Sequence, residues 1–268
     1  MAADQATEAA GPTPPSAQLA TMSDLPITTD AFLGGRLTLR QPRDGYRAAI
    51  DPVLLAAAVT APEEARLVDL GCGVGTAGLC VLARLPGISC TGIDIQAPLV
   101  ALAQANAGAN GLGERYQARC GSIGAKDVLR DLGTVDQVIA NPPYLAQGEA
   151  SASAHPIKAL ANMESDAPLS DWIIAATRIV RPGGTVTFIH RAERLPELLA
   201  LMRENLGSLA ILPVQPKADS DAHRVIVRGR KGKRAPARLL APLILHETDG
   251  SYTTAAQRLL RDAGRLDL

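Results

Sequence analysis

Aromatic residues are scarce in this 268-residue sequence, which has one Trp, four Tyr and two Phe. A core short of rings must be filled by Ala, Leu, Val and Ile, which favours helices packed on a buried sheet. Net charge is absent as well: 27 Lys+Arg stand against 27 Asp+Glu, so no bulk basicity announces a nucleic-acid partner. The four cysteines, Cys72, Cys80, Cys90 and Cys120, contain no Cys-x-x-Cys pair, and the four histidines are scattered over the second half. That pattern argues against a metal site and for reduced thiols in a cytoplasmic protein. No uncharged run has the length of a membrane span. The first basic residue is Arg36, so the start of the chain carries neither a positive secretory n-region nor presequence arginines.

What is present is an ordinary globular composition, 47% hydrophobic and 20% charged, which excludes wholesale disorder. Residues 1–25, rich in Ala, Pro, Thr and Ser without an apolar period, read as a disordered tail. An N-terminal extension follows over 26–65: alternation at 36–40 predicts a strand, and Asp51 with Pro52 predicts a capped helix through the apolar run 53–59. Over 66–234, strand and helix signals alternate. Strands are expected at 66–70, 88–95, 115–121, 135–140 and 185–190, with helices at 76–85, 98–110, 126–132, 171–180 and 195–206. Ser170 is the expected cap of the fourth of these helices. Strands at 209–214 and 224–228, joined by a polar loop, suit a hairpin closing one sheet edge. A C-terminal extension over 235–268 reads as a strand at 239–246 and a final helix capped by Thr253 or Thr254. The expected fold is therefore α/β and Rossmann-like: a mostly parallel seven-stranded sheet, helices on both faces and an antiparallel edge hairpin. The segment 148–168 lacks periodicity and is expected to be an irregular loop near the strand ends.

The strongest local feature is Val68-Asp69-Leu70-Gly71-Cys72-Gly73-Val74-Gly75, where a strand ends and a helix begins. Its glycines let the backbone turn and approach a ligand without a Cβ in the way. Gly73 to Gly78 also fits the dinucleotide Gly-x-Gly-x-x-Gly fingerprint, and Asp94 lies 21 residues beyond Gly73, so NAD(P) binding by an oxidoreductase is a competing reading. Asp69 favours a cationic ligand, since its carboxylate would repel a pyrophosphate and attract an amino group. Asp94, ending the second strand, can accept from ribose hydroxyls in either case. After the fourth strand comes Asn141-Pro142-Pro143-Tyr144. The prolines make a rigid wall with few donors, leaving the Asn141 amide oxygen and the Pro142 carbonyl to accept both hydrogens of a planar amino group. Tyr144 supplies a ring on which a flat base can stack.

These residues resemble the class I S-adenosyl-L-methionine-dependent methyltransferases, and Asn-Pro-Pro-Tyr resembles their amino-group-methylating branch. The resemblance implies that Asp69, Gly71, Gly73 and Gly75 line the methionine part of the cofactor. It implies too that Asp94 holds the ribose, Ile95 packs on the adenine, and Asn141, Pro142, Pro143 and Tyr144 hold the acceptor, with Asn141 bordering both. Where that family commonly has an acidic residue contacting the adenine amino group, this chain has Gly121-Ser122-Ile123, so Ser122 and Ile123 take that place. Within the branch the chain is similar to the tRNA1(Val) adenine-37 N6-methyltransferase family. The likeness rests on Gln41 to Pro52, Asn141 to Tyr144, His190 to Leu195, Pro216-Lys217 and Asp249 to Thr253. It implies transfer of a methyl group to the N6 amine of adenine in tRNA. Enzymes acting on protein glutamine or on another nucleic-acid base share the Asn-Pro-Pro-Tyr form and stay open as alternatives.

The zero net charge is a cancellation. Residues 1–172 hold 11 basic and 18 acidic side chains, and residues 173–268 hold 16 and 9. Arg224, Arg228, Arg230, Lys231, Lys233, Arg234 and Arg238 fall within fifteen residues that contain no acid. Such a segment suits a phosphate backbone, and the first six are the expected RNA contacts.

Overall fold

The computed structural model describes residues 26–43, 48–144 and 167–268. The expected tail at 1–25 and nearly all of the expected loop at 148–168 lie outside the described residues.

The described chain opens with an antiparallel hairpin, β1 (Ile27–Phe32) and β2 (Leu37–Pro42). Only β2 is legible in the sequence; β1 presents no buried position and is held by residue-for-residue pairing with β2. Helix α1 (Asp51–Ala57) starts on Pro52, whose fixed φ suits a first turn, and every residue from Pro52 to Ala57 is buried. A helix without a polar face belongs to the interior. Asp51 does not cap it, because the N-cap position is Ile50 and no side chain caps there.

The alternating signals become β3 (Arg66–Leu70), α2 (Thr76–Arg84), β4 (Ser89–Asp94), α3 (Ala97–Ala109), β5 (Tyr116–Cys120), α4 (Lys126–Arg130) and β6 (Val135–Ala140). After the undescribed stretch come α5 (Leu169–Ile179), β7 (Val180–Arg191), α6 (Leu195–Asn205), β8 (Leu206–Gln215) and β9 (Arg224–Lys231). The start of α5 departs from expectation: Pro168 holds the N-cap, and Ser170 sits in the first turn. The expected strand at 239–246 is instead two short ones, β10 (Arg238–Leu239) and β11 (Leu243–Ile244), both parallel to β8. The closing helix α7 (Thr254–Leu260) is capped as expected by Thr253, whose Oγ1 accepts from the Ala256 N–H at 3.1 Å.

The sheet runs β10-β8-β9-β7-β6-β3-β4-β5. Neighbours from β5 to β7 are parallel, and β9 is antiparallel to both β7 and β8. The seven expected strands are β3 to β9, and β10 and β11 cover the edge the hairpin was expected to close. Central strands β3 and β6 are buried on both faces, which is why they read as apolar runs without alternation. One apolar layer gathers α1, α2, α3 and α7 on one face; the other gathers α4, α5 and α6 on the opposite face.

The order reverses between β3 and β6: the chain steps outward through β4 and β5, then returns to β3's other side. Leu70 pairs with Ala140 across that seam, so Gly71 and Asn141 follow paired residues at the carboxyl ends of adjacent strands. Open α/β sheets bind ligands in such a crevice. The N-terminal hairpin is fastened to it by Asn106 on α3, which is fully buried. Its Oδ1 accepts the Arg40 N–H at 2.9 Å, and its Nδ2 donates to the carbonyls of Arg40 at 3.1 Å and Val74 at 3.0 Å.

Candidate active site

A cavity of about 400 Å³ opens at the seam, within the size range of ligand pockets, ~300–1,000 Å³. Its walls include Asp69, Gly71, Gly73, Asp94, Ile95, Ser122, Ile123 and Asn141 to Tyr144. The structure thus brings together every expected cofactor and acceptor residue except Gly75. That glycine has φ +87° at the start of α2, and a Cβ there would meet the Tyr116 hydroxyl at 2.9 Å. Its role is close packing beneath the turn. Gly71 and Gly73 also have positive φ, +68° and +53°, and the space beside Gly73 is clear of protein atoms for 4 Å.

Asp69 comes from β3 and is buried. Its Oδ2 accepts the Gly78 N–H at 3.0 Å, at the first turn of α2. Burial pushes the carboxyl up to about 7, against the lowering pull of that hydrogen bond and with a further raising push from Asp94. Asp94 ends β4; its Oδ2 accepts the Gly73 N–H at 2.8 Å and its Oδ1 the Gln96 N–H at 2.9 Å. Burial raises its titration too. Each of these oxygens has a second lone pair for a ligand hydroxyl. Among the described residues no lysine or arginine offsets either carboxylate. Two buried acids in one cavity fit a ligand that carries positive charge. Ile95 is 45% exposed although apolar, which leaves a flat hydrophobic wall for a ring. Ser122 Oγ accepts the Gly124 N–H at 3.2 Å.

Asn141 to Tyr144 leave the carboxyl end of β6, next to the glycine turn that follows β3, and line the same cavity. The Tyr144 hydroxyl donates to Asp51 Oδ2 and lies 3.0 Å from Asn141 Oδ1. The Arg224 guanidinium carbon sits 4.6 Å from the Tyr144 ring centroid, and that of Arg191 at 5.7 Å. Arg191 lines the cavity. His190 packs its ring edgewise on Tyr144, with centroids 5.4 Å apart. Burial and the positive charge of Arg194 hold this histidine down at about 4, so it is neutral, with Nδ1 accepting the Arg191 N–H at 2.9 Å. Sequence reading did not place Asp51, Trp172, His190 or Arg191 in the site. Asp51 was disguised by its resemblance to a helix cap. Trp172 on α5 had no local motif at all, yet it lines the cavity and is what a Cβ on Gly71 would strike, at 2.5 Å.

The expected RNA-contacting segment is pulled apart. Arg224 pairs in register with Arg191 at the cavity end of the sheet, whereas Arg230 pairs with Thr185. Six residues of strand, ~20 Å at ~3.3 Å each, separate those ends. Arg230, Lys233 and Arg234 are exposed at the far end. Lys231 donates to the carbonyls of Thr177 at 2.6 Å and Val180 at 2.8 Å, and Arg228 donates to those of Leu268 and Ala58. These last two cations hold chain segments in place.

Comparison with known proteins gives a consistent picture. A model of the methyltransferase small domain matches residues 49–212. The tRNA1(Val) (adenine(37)-N6)-methyltransferase of Dickeya chrysanthemi is 28% identical over 246 residues, 88% of this chain and 94% of that protein. The protein of the same name from Porphyromonas gingivalis is 26% identical over 87% of this chain and 94% of its own length. A release factor glutamine methyltransferase of Chlorobaculum tepidum is 24% identical over 62% of this chain and 59% of that protein. Among solved structures, a predicted O-methyltransferase from Agrobacterium tumefaciens superposes with a TM-score of 0.68 at 28% identity, covering 81% of this chain and 99% of that one. The match over 49–212 overturns the dinucleotide reading, and Asp69 gives the physical reason, since its buried carboxylate would repel a pyrophosphate. No helix among the described residues is long and apolar enough to cross a membrane.

Proposed function

This chain belongs to the methyltransferase small domain family, and from that premise we propose that it methylates the exocyclic N6 amine of an adenine in tRNA. Its cofactor is S-adenosyl-L-methionine. The observation that carries the reading is the pairing of Leu70 with Ala140, because it sets the glycine turn and the Asn141 amide side by side in the lining of one cavity.

The cofactor supplies an electrophilic methyl group on a sulfonium centre. Asp69 holds its ammonium group, Gly71 and Gly73 admit its methionine part, and Asp94 accepts from its ribose hydroxyls. Ile95 and Ile123 flank its adenine ring, and Ser122 accepts from the ring's amino group. Beside that turn, Asn141 Oδ1 and the Pro142 carbonyl accept the two hydrogens of the substrate amine. Held there, the nitrogen lone pair leaves conjugation with the base and turns toward the methyl donor. No strong base is needed, because the amine sheds its proton after transfer, and positioning in a largely apolar cavity carries the catalysis. Pro143 stiffens the wall and Tyr144 offers its ring to the base. A base in a folded RNA must be swung out of its stack to arrive. The names of the relatives support tRNA as the substrate, as does the Arg191 cation at the cavity. A tRNA substrate makes the cytoplasm the site of action.

The test is incubation of the purified protein with methyl-labelled cofactor and either total tRNA or total protein, followed by mass spectrometry of nucleosides and of peptides. The expected result is N6-methyladenosine in tRNA. Label on protein glutamine, or on another base, would overturn the assignment.

A further inference from the structure

Trp172, on α5, is part of the cavity lining, yet neither the cofactor turn nor the acceptor residues account for it. It is 7% exposed, a large ring set into the wall rather than projecting from it. Its approach to the glycine turn is edge-on. A Cβ built on Gly71 would stand 2.5 Å from Cη2, 2.8 Å from Cζ3 and 3.8 Å from Cζ2. Above a ring face Cζ2 would be almost as near as Cη2, so these distances put the Cβ in the plane of the indole, beyond its outer edge. With that edge stopped by the turn, the broad surfaces left to the ring are its faces. Among the described residues no aromatic ring or guanidinium stacks on them.

Gly71 and Asn141 follow residues paired across the seam, on strands ~4.8 Å apart. A methyl group passing from the glycine turn to an amine at Asn141 crosses that seam, and the indole abuts its Gly71 side. Aromatic faces carry the negative part of a quadrupole and attract cations. Asp69 and Asp94 are taken by the ammonium group and the ribose, which leaves the sulfonium charge without a counterpart. We propose that Trp172 supplies it: a face of the indole recognises the sulfonium cation, so that this residue distinguishes loaded cofactor from spent. In the transfer, the bond from sulfur to the methyl carbon breaks with its electron pair kept by sulfur. The amine lone pair forms the new bond to carbon, and the nitrogen then sheds a proton. What remains is S-adenosyl-L-homocysteine, a neutral thioether of nearly the same shape. Contacts to the ammonium group and the ribose are common to both forms and cannot tell them apart, whereas a contact between cation and ring can.

Because the chain has one tryptophan, producing the full-length protein with a fluorinated tryptophan alters this ring alone and nearly keeps its size. The fluorines go at ring positions 4 and 7, since positions 5 and 6, which are Cζ3 and Cη2, abut Gly71. Calorimetric Kd values are measured for S-adenosyl-L-methionine, for S-adenosyl-L-homocysteine and for sinefungin, which carries an ammonium group in place of the methylated sulfonium. Each fluorine withdraws charge from the ring face, so Kd for S-adenosyl-L-methionine is expected to rise about 2- to 4-fold per fluorine. Sinefungin is expected to follow it, and S-adenosyl-L-homocysteine to stay within about 1.5-fold. Trp172→Leu is expected to lower the ratio of the S-adenosyl-L-homocysteine Kd to the S-adenosyl-L-methionine Kd about 5- to 20-fold. Tighter binding of the charged ligands on fluorination would show that a ring edge meets them, and equal changes for all three ligands would show packing alone; either result overturns the proposal. The measurement rests on the cofactor assignment and uses no RNA, so a protein that binds the cofactor but methylates no RNA refutes the substrate reading alone. Failure to bind any of the three ligands would overturn the cofactor assignment and this proposal together.

Discussion

The backbone N–H of Gly73 donates to Oδ2 of Asp94 at 2.8 Å, joining the glycine turn after β3 to the acid that ends β4. Asp94 therefore does two things: it shapes the turn and presents its remaining lone pairs to the ligand. Asp94→Ala should weaken cofactor binding roughly 10- to 100-fold, the loss of one charge-assisted hydrogen bond or slightly more. Calorimetric Kd measurements check this, with kcat at saturating cofactor expected to fall less than about fivefold.

Asn141 follows β6, the strand beside the one that leads into the cofactor turn, and lines the same cavity. Asn141→Ala should lower kcat on the order of 100-fold or more, as removal of a polarising group in a closed site does. Cofactor Kd should stay within about threefold. Single-turnover methylation beside a binding isotherm separates the two effects.

The raised titration of Asp69 makes cofactor binding depend on pH. At pH 6, one unit below its value of about 7, most of the free protein holds this carboxyl protonated, and a cationic ligand favours the ionised form. Affinity should therefore rise roughly five- to tenfold between pH 6 and pH 8, with uptake of ligand releasing a proton. Calorimetry in buffers of different ionisation enthalpy measures that proton directly, and Asp69→Asn should abolish the release. In the ligand-free protein the same group contributes stability that is fullest below its unfolded value of 3.8 and is lost as pH rises through about 7.

The two ends of β9 should differ in their effect on RNA. Arg191, beside Arg224 at the cavity, is expected to matter for substrate capture, so Arg191→Ala should raise KM for tRNA about 5- to 20-fold and reduce the salt slope by about one. Joint replacement of Arg230, Lys233 and Arg234 by Ala should have less than about a third of that effect. Filter binding over a salt series, with the two variants side by side, reads the contrast.

Much of this was legible along the chain because local sequence and local structure agreed. β3 and β6 are found where their apolar runs end, and both runs end on the residues that carry the chemistry. What the sequence concealed is non-local. Asp51-Pro52 has the form of a cap and first turn, and nothing nearby reveals that the carboxylate faces Tyr144 and Arg224 instead. The basic run from Arg224 to Arg238 looks like one patch as text, but an extended strand spreads its start and its middle along the sheet. Lys231 and Arg228 are drawn out of that patch by backbone carbonyls that only the folded chain brings near. β1 has no buried face to announce it, and exists because β2 is beside it.

The shortage of aromatic residues has an optical consequence. The chain has a single tryptophan, and Trp172 is buried in the wall of the cavity, with its indole against Gly71. Any emission excited selectively from indole therefore originates at the site itself, with no background from elsewhere in the fold. Occupancy of the cavity can be followed by the native fluorescence of the unlabelled protein, at equilibrium or in a stopped-flow instrument, and the turn that receives the ligand needs no engineered probe.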